Sequence, residues 1–424
     1  MKLTLAYGRH GLEIELPDGA PLTVIEPRFV PGLPDERGAI LEALRAPVDT
    51  PALRAMLDPQ DSVAVVFSDL TRPMPNDRVL PPLLEEIAAA GVPDERVVLI
   101  NGLGTHRPQT PAELDEMLGA DIAARYRIVQ HDATGDDLVV VARNRFDRPV
   151  RVNRAYAKAS FRILTGFVEP HLFAGFSGGP KAVLPAIADL DSILDNHGPE
   201  MLVDPSATWA VTAGNPVWEE MMAVARLASP DFLLNVTLNQ ARRLTGVYAG
   251  DMASAYAQAA AFVRETAVQP VLEPFDVVIT SNSGYPLDLN LYQAVKGMSA
   301  ASLIVRPGGD IIVAAECWDG IPDHGEYKRL LWEADSIEDL LASATAPGFR
   351  CRDQWEVQIQ GQVQQKARVH VYADGLSDDE LRRAHVIPCG SIEETVARIQ
   401  QANPSATIAV LPDGPQTVGS VEVG

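Results

Sequence analysis

The sequence predicts an α/β protein built as two α/β domains, residues 1–269 and 270–424. Three observations carry this. Two successive units run from an apolar strand through a polar loop into a helix, at residues 62–90 and 96–118. Their strands are continuously apolar, as in Ser62-Val63-Ala64-Val65-Val66-Phe67, the kind buried on both faces of a parallel sheet. After the Pro-punctuated stretch Pro270–Pro274 the same alternation starts afresh.

Taken in order, residues 1–30 read as short strands, Leu3–Tyr7 and Leu12–Leu16, before a Pro-Asp-Gly turn. A helix follows near Arg37–Arg45. The strand 62–67 ends in Ser68-Asp69-Leu70-Thr71-Arg72-Pro73, and a helix runs from about Asn76 to Ala90. The strand Arg96–Ile100 ends in Asn101-Gly102-Leu103-Gly104-Thr105-His106-Arg107. Thr110-Pro111-Ala112-Glu113 is a capping box with proline at the first helical position. Leu138–Phe146 reads as part of a hairpin, and Phe161–Thr165 as a third apolar strand.

That strand leads into Val168-Glu169-Pro170-His171-Leu172-Phe173-Ala174-Gly175-Phe176-Ser177-Gly178-Gly179-Pro180-Lys181. Pro180 suits a helix start, and a helix is expected from there through His197 to Gly198. Lys181 in a first turn opposes the helix dipole, so it is not placed for helix stability. Ser177, Gly178 and Gly179 read either as an anion cradle of free amides at that start, suited to a cofactor phosphate, or as a tight loop beside a solvated lysine. A strand at Phe232–Leu238 and a helix at Met252–Thr266 complete this half.

In the second half, strands are expected at Phe275–Thr280, Asp310–Ala315, Arg368–Tyr372 and Thr407–Leu411. Helices are expected around Leu291–Ala301, Glu326–Ala334, Ser336–Ala344 and Gln354–Gln365, with capping boxes at Ser377…Glu380 and Ser391…Glu394.

The formal net charge is −22, without a Lys/Arg-rich run, which argues against nucleic acid or an anionic membrane surface as partner. No apolar run reaches the roughly 18 residues of a membrane span. Met1–Pro17 lacks a signal-peptide pattern, and the three cysteines are widely spaced, so a cytoplasmic location with reduced thiols is expected. There is no GxGxxG after a strand, no Walker A and no GxSxG, which excludes the ordinary NAD enzyme and hydrolase signatures.

In doubly wound sheets ligands bind beyond the carboxyl ends of the strands. The topology puts His106, His171 and His197 at one such edge, whereas His10, His131, His324, His370 and His385 lack that context. Two imidazoles can serve as acid and base near neutral pH, and a third can bind a metal through a neutral nitrogen. Asp69 and Arg72, three apart in a strand-to-helix loop, are either a loop-stabilising pair or a site in which the Arg72 fork grips a carboxylate. Tyr292, Gln293 and Lys296 share one helix face, either solvated or set for a carboxylate and a hydroxyl.

Together these segments resemble the nickel-pincer lactate racemase family. The resemblance rests on Ser68-Asp69-Leu70-Thr71-Arg72-Pro73, Gly104-Thr105-His106-Arg107, Glu169-Pro170-His171 through Lys181, Asn196-His197, Tyr292-Gln293-Ala294-Val295-Lys296-Gly297 and Asp353-Gln354-Trp355. It spans roughly residues 10–415.

The resemblance implies a cofactor and substrate cleft between the two domains. It implies a nickel-pincer nucleotide, a pyridinium-3-thioamide-5-thiocarboxylic acid mononucleotide carrying Ni(II), covalently attached at Lys181. His197 would complete the nickel coordination, a donor set whose softness and planarity suit Ni(II). His106 and His171 would be the acid/base pair, and Arg72, Gln293 and Lys296 would hold the carboxylate or hydroxyl of a 2-hydroxy acid. Asp69, Tyr292 and Trp355 would orient and line the site. The implied reaction is racemisation or epimerisation by reversible hydride transfer from the α-carbon, and cofactor-synthesis proteins are expected partners. Three alternatives stay open: C2 epimerisation of a sugar acid such as an aldonate, with selectivity in Trp318–Pro322 or Trp209–Trp218; a non-catalytic binder of the nickel nucleotide; and a metal-dependent hydrolase. Two retained acid/base histidines argue against a mere carrier, and a hydrolase would leave Lys181 unexplained.

Overall fold

The computed structural model describes residues 1–17, 21–323 and 325–421. Asp18 and Gly19 of the expected Pro-Asp-Gly turn, and His324, lie outside them. Two six-stranded sheets organise the chain. The first runs, edge to edge, Leu244–Gly250, Phe232–Leu238, Phe161–Phe167, Val63–Ser68, Val97–Gly102 and Arg127–Gln130. All its neighbours are parallel except the first pair. The second is wholly parallel: Ile387–Pro388, Arg368–Tyr372, Val305–Ala314, Phe275–Ser281, Ile408–Leu411 and Leu22–Val24.

Side-chain alternation explains the layers of the first sheet. Val63, Val65 and Phe67 point into a core shared with Leu80, Leu83 and Ile87 of the helix Asn76–Ala89. Ala64 and Val66 point to the opposite face, into a core that continues into the second half through Leu291, Ala294 and Met298. Each fully buried Val, Leu or Phe contributes about 1.5–3 kcal/mol, so both faces hold the sheet, and the second ties the halves together.

Strand Val63–Ser68 lies between Val97–Gly102 and Phe161–Phe167, so the chain winds away from it in both directions. The carboxyl ends of these three strands, at the switch point, are where a crevice opens. The expected hairpin is Leu138–Arg143 with Pro149–Asn153.

Three expectations are corrected. The first 25 residues do not belong with the first sheet: Leu22–Val24 pairs with Ile408–Leu411, and Leu5, Tyr7, Ile14 and Leu16 pack on Val277, Ile279 and Ile312 of the second. The open edge of Ile408–Leu411 takes a strand from the far end of the chain, so the first 25 residues pack on the second sheet from across the expected boundary at 270. The helix expected from Pro180 to His197 is broken: a single 3-10 turn spans Gly179–Ala182, and an α-helix resumes only at Leu190–Asn196. Pro185, without an amide N–H, lies in the gap. The Thr110 and Ser377 capping boxes are complete, whereas at Ser391 only the serine side is made: its hydroxyl accepts from the Glu394 amide and donates to Glu393, and the Glu394 carboxylate does not reach back.

Candidate active site between the two sheets

The carboxyl ends of the three central strands of the first sheet meet the helix Leu291–Ser302 and the start of the helix Gln354–Lys366 around a cavity of about 120 Å³. Asp69, Arg72, His106, His171, Ser177, Gly178, Lys181, His197, Tyr292, Gln293, Lys296 and Trp355 all line it. Of the residues singled out from the sequence, Gly179 alone does not.

Asp69 and Thr71 follow the strand Val63–Ser68, and His106 follows Val97–Gly102. Asp69 Oδ2 is 2.6 Å from His106 Nδ1, and Asp69 Oδ1 accepts from Thr71 Oγ1 at 2.9 Å. Burial works to raise the Asp69 pKa, but His106 and Arg72 outweigh it and hold the carboxyl below its ordinary value. A carboxylate there fixes the imidazole with its proton on Nδ1, leaving Nε2 free. Arg72 donates to Thr71 Oγ1 at 2.9 Å and has no carboxylate within ion-pair distance among the described residues. The loop-pair reading of Asp69 and Arg72 therefore fails: Asp69 is committed to His106, and the remaining Arg72 donors face the cavity.

Phe173 stands between the other two histidines. Its ring meets His171 edge-on at 4.7 Å and His197 at 4.8 Å. His197 in turn meets Trp355 edge-on at 5.3 Å, and Trp355 Nε1 donates to Tyr292 Oη at 2.8 Å. This chain links five side chains drawn from both halves of the sequence: His171, Phe173, His197, Trp355 and Tyr292. His197 caps the carboxyl end of the helix Leu190–Asn196, and its Nδ1 is buried without a partner among the described residues.

Lys181 is only 9% exposed, with Nζ 5.6 Å from the centre of the Phe173 ring. Burial, with Arg72 and Lys296 nearby, drives its ammonium well below the ordinary lysine value, and Glu169 only partly opposes this. Burial and Lys181 do the same to His197. Burial and the Lys181, Lys296 and Arg72 cations do it to His171. Burial and one another's charges thus push all three of these nitrogens toward their neutral forms.

The Ser177-Gly178-Gly179 cradle is not open as expected. The Ser177 amide donates to Glu169 O at 2.8 Å, and the Gly179 amide to Asn235 Oδ1 at 2.8 Å. Ser177 Oγ is used by Phe167 O and the Glu169 amide. Gly178 has φ +75°, and a Cβ there would sit 2.8 Å from Asn235 Oδ1 and Val168, so the glycine serves a tight turn in the cavity wall.

Sequence reasoning missed Glu356. It lies 2% exposed on the cavity wall, its Oε1 without a partner, and burial pushes its carboxyl up to about 8 against the pull of Lys296. Lys296 donates to Gln293 Oε1 at 2.7 Å, and burial and Arg72 bring its ammonium down to about 8 against Glu169 and Glu356. Glu356 follows Trp355 directly, and that adjacency was the available signal. Phe173 and Thr71, also missed, lie inside motifs already read. His131, His370 and His385 are structural: their Nε2 atoms bond Ala188 O, Asp310 Oδ1 and Leu331 O. Of the two stretches expected to carry selectivity, Asp319 and Pro322 reach a cavity beside His106, whereas Trp209 bonds Ser299 Oγ and Trp218 bonds Tyr256 Oη.

The halves are tied beside the site by Arg350, which bonds Asp195 and Asp191. Asp195 is 6% exposed and is also held by Arg148 at 2.5 Å and Asn144 at 2.7 Å. No helix among the described residues is long and apolar enough to cross a membrane.

Residues 7–210 match the family model for the lactate racemase N-terminal domain, and residues 271–418 that for the lactate racemase C-terminal domain. A lactate racemase of Thermoanaerobacterium thermosaccharolyticum is 31% identical over 419 residues, covering 97% of each chain. One from Lactiplantibacillus plantarum is 33% identical over 382 residues, 89% of this chain and 90% of that one. The solved apoprotein of the Thermoanaerobacterium lactate racemase superposes with a TM-score of 0.91 at 30% identity, over 99% of this chain and 100% of the other. A Thermotoga maritima protein shares the fold, with a TM-score of 0.72 at 18% identity, over 93% and 100%.

Proposed function

The chain belongs to the lactate racemase family, and from that premise we propose that it racemises or epimerises a 2-hydroxy acid, lactate or a close relative, in the cleft between its two sheets. The observation that carries the reading is the gathering of His106, His171, Lys181 and His197 on one cavity with Arg72 free to bind an anion.

The residues fit the family's nickel-pincer nucleotide. Among the described residues no three His, Cys, Asp or Glu side chains are grouped to hold a metal ion, so a nickel at His197 would take its other donors from a bound group. Burial that favours the neutral imidazole of His197 suits that bond, and burial that favours the free amine of Lys181 suits covalent attachment. When bound, the nucleotide supplies the acceptor and donor of a hydride at the substrate α-carbon. Cofactor-synthesis proteins are then required partners.

The chain's own residues do the rest. Arg72 and Lys296 hold the substrate carboxylate, the first through its planar fork. His106, with its proton held on Nδ1 by Asp69, presents Nε2 as a base for the substrate hydroxyl. The Ala174 amide lies 3.4 Å from His171 Nδ1, so His171 too is left to meet the substrate through Nε2. Each histidine acts as base when neutral and as acid only when its imidazolium carries the proton, so the two exchange roles between the two directions of the reaction. Loss of the hydroxyl proton and the α-hydride leaves a flat 2-keto acid, and return of both to the opposite face inverts the centre. The Phe173, Trp355 and Tyr292 array excludes water from this exchange.

The test is a chiral assay of cofactor-loaded protein on D-lactate. Wild type should give the racemate, and His106→Ala and His171→Ala should each lose at least about 10²-fold in rate, the usual worth of a positioned acid or base. Wild-type-like turnover in either variant would remove that histidine from the mechanism.

A further inference from the structure

A second cavity, of about 40 Å³, opens beside His106. At ~10–15 Å³ of such space per water it has room for roughly three water-sized groups. Thr105, His106, Tyr292 and Gln293 line both cavities, so a molecule bound at His106 extends from one into the other.

Its chemistry is set by what remains free. Arg107 reaches the wall, but its guanidinium is taken by Glu113 at 2.9 and 2.7 Å. The Gln109 amide is spent on Arg107 O and Asn101 Nδ2. Asp319 is exposed, and among the described residues its carboxylate accepts no hydrogen bond. Asp353 Oδ2 accepts from the Glu326 amide at 2.9 Å, and its carboxyl is also met by the Tyr327 amide and, at 4.0 Å, by Arg352. The pocket therefore presents the Asp319 and Asp353 carboxylates together with the side-chain NH2 groups of Asn290 and Gln293, whose oxygens are used by Gln293 N and Lys296, and it holds no uncommitted cation. A second substrate carboxylate would be repelled by Asp319, and an alkyl group would cover polar atoms without bonding them.

We propose that this cavity is the subsite for the substituent on C2, and that the preferred substrate is a short 2-hydroxy acid hydroxylated on C3 and beyond, the chemistry of a small sugar acid. The proposal rests on the racemase reading above and names its substrate class. Hydroxyl donors on C3 meet the free acceptors, and the carboxylate and C2 stay at Arg72 and His106.

The experiment uses cofactor-loaded protein and four D-acids: lactate, glycerate, 2-hydroxybutyrate and malate, with loss of optical purity as the readout. Glycerate and 2-hydroxybutyrate differ only by OH for CH3 at the end of the substituent. Glycerate should exceed 2-hydroxybutyrate by about tenfold or more in kcat/KM, since a polar subsite rejects an analogue lacking the hydroxyl, and malate should be poorest. Asp319→Lys should raise the malate-to-glycerate ratio by about tenfold or more. A preference for 2-hydroxybutyrate or malate, or an unchanged ratio in the variant, overturns the subsite and leaves the racemase reading intact. Racemisation of none of the four overturns both.

Discussion

Asp69 Oδ2 lies 2.6 Å from His106 Nδ1, and the same carboxylate accepts from Thr71 through its other oxygen. The pair joins the ends of two neighbouring strands, Val63–Ser68 and Val97–Gly102, which are in parallel register with Ser68 opposite Gly102. Sheet pairing therefore sets the distance between base and orienting carboxylate.

Asp69→Asn should accordingly lower kcat by about 10²–10⁴, because an amide can donate to Nδ1 and so stabilise the wrong tautomer. KM for the acid should change far less, since Arg72 is untouched. Steady-state kinetics on D-lactate check this, and a variant with only a raised KM would make Asp69 a binding residue instead.

Lys181→Ala should abolish covalent attachment of the nucleotide. Intact-mass measurement of protein produced together with the cofactor-synthesis proteins should show an increment in wild type and none in the variant. An increment that survives would place the tether on another residue.

Glu356 should leave a signature in the stability of the cofactor-free protein. Its carboxyl is raised from 4.5 to about 8, so between those values the folded protein holds a proton that the unfolded chain releases. Stability then falls as pH rises from about 4.5 to about 8. Lys296, lowered from 10.5 to about 8, acts only above that window, where the unfolded chain holds the extra proton and stability rises with pH. Glu356→Gln should remove the fall, so the variant should gain stability relative to wild type between pH 5 and pH 8, by a few kcal/mol at most given about 1.4 kcal/mol per unit and the coupling to Lys296. Denaturant melts across that range check it; parallel pH profiles would mean that Glu356 is ionised throughout.

Much of this was legible in the chain. Apolar strands ending in Asp69, His106 and His171 mark a switch-point crevice without any structure, because strand ends at that point face the ligand. Glu356 was legible only by its adjacency to Trp355: the pattern of Gln354–Lys366 is polar, and it is the fold that buries the carboxyl, near enough to Tyr327 and Tyr292 to act on their hydroxyls. The place of Leu22–Val24, whose partner Ile408–Leu411 lies at the far end of the chain, was not legible. The anion cradle failed because Asn235, on a strand with no motif of its own, takes the Gly179 amide.

The central claim is that the α-hydrogen leaves as hydride and returns to the same carbon, with His106 and His171 handling only the hydroxyl proton. Racemisation of D-[2-²H]lactate in ordinary water by cofactor-loaded wild-type protein tests it, with mass spectrometry of the L-lactate formed. The account predicts L-lactate that keeps deuterium at C2. L-lactate carrying solvent protium at C2 from the first turnovers would show proton abstraction from carbon and contradict it.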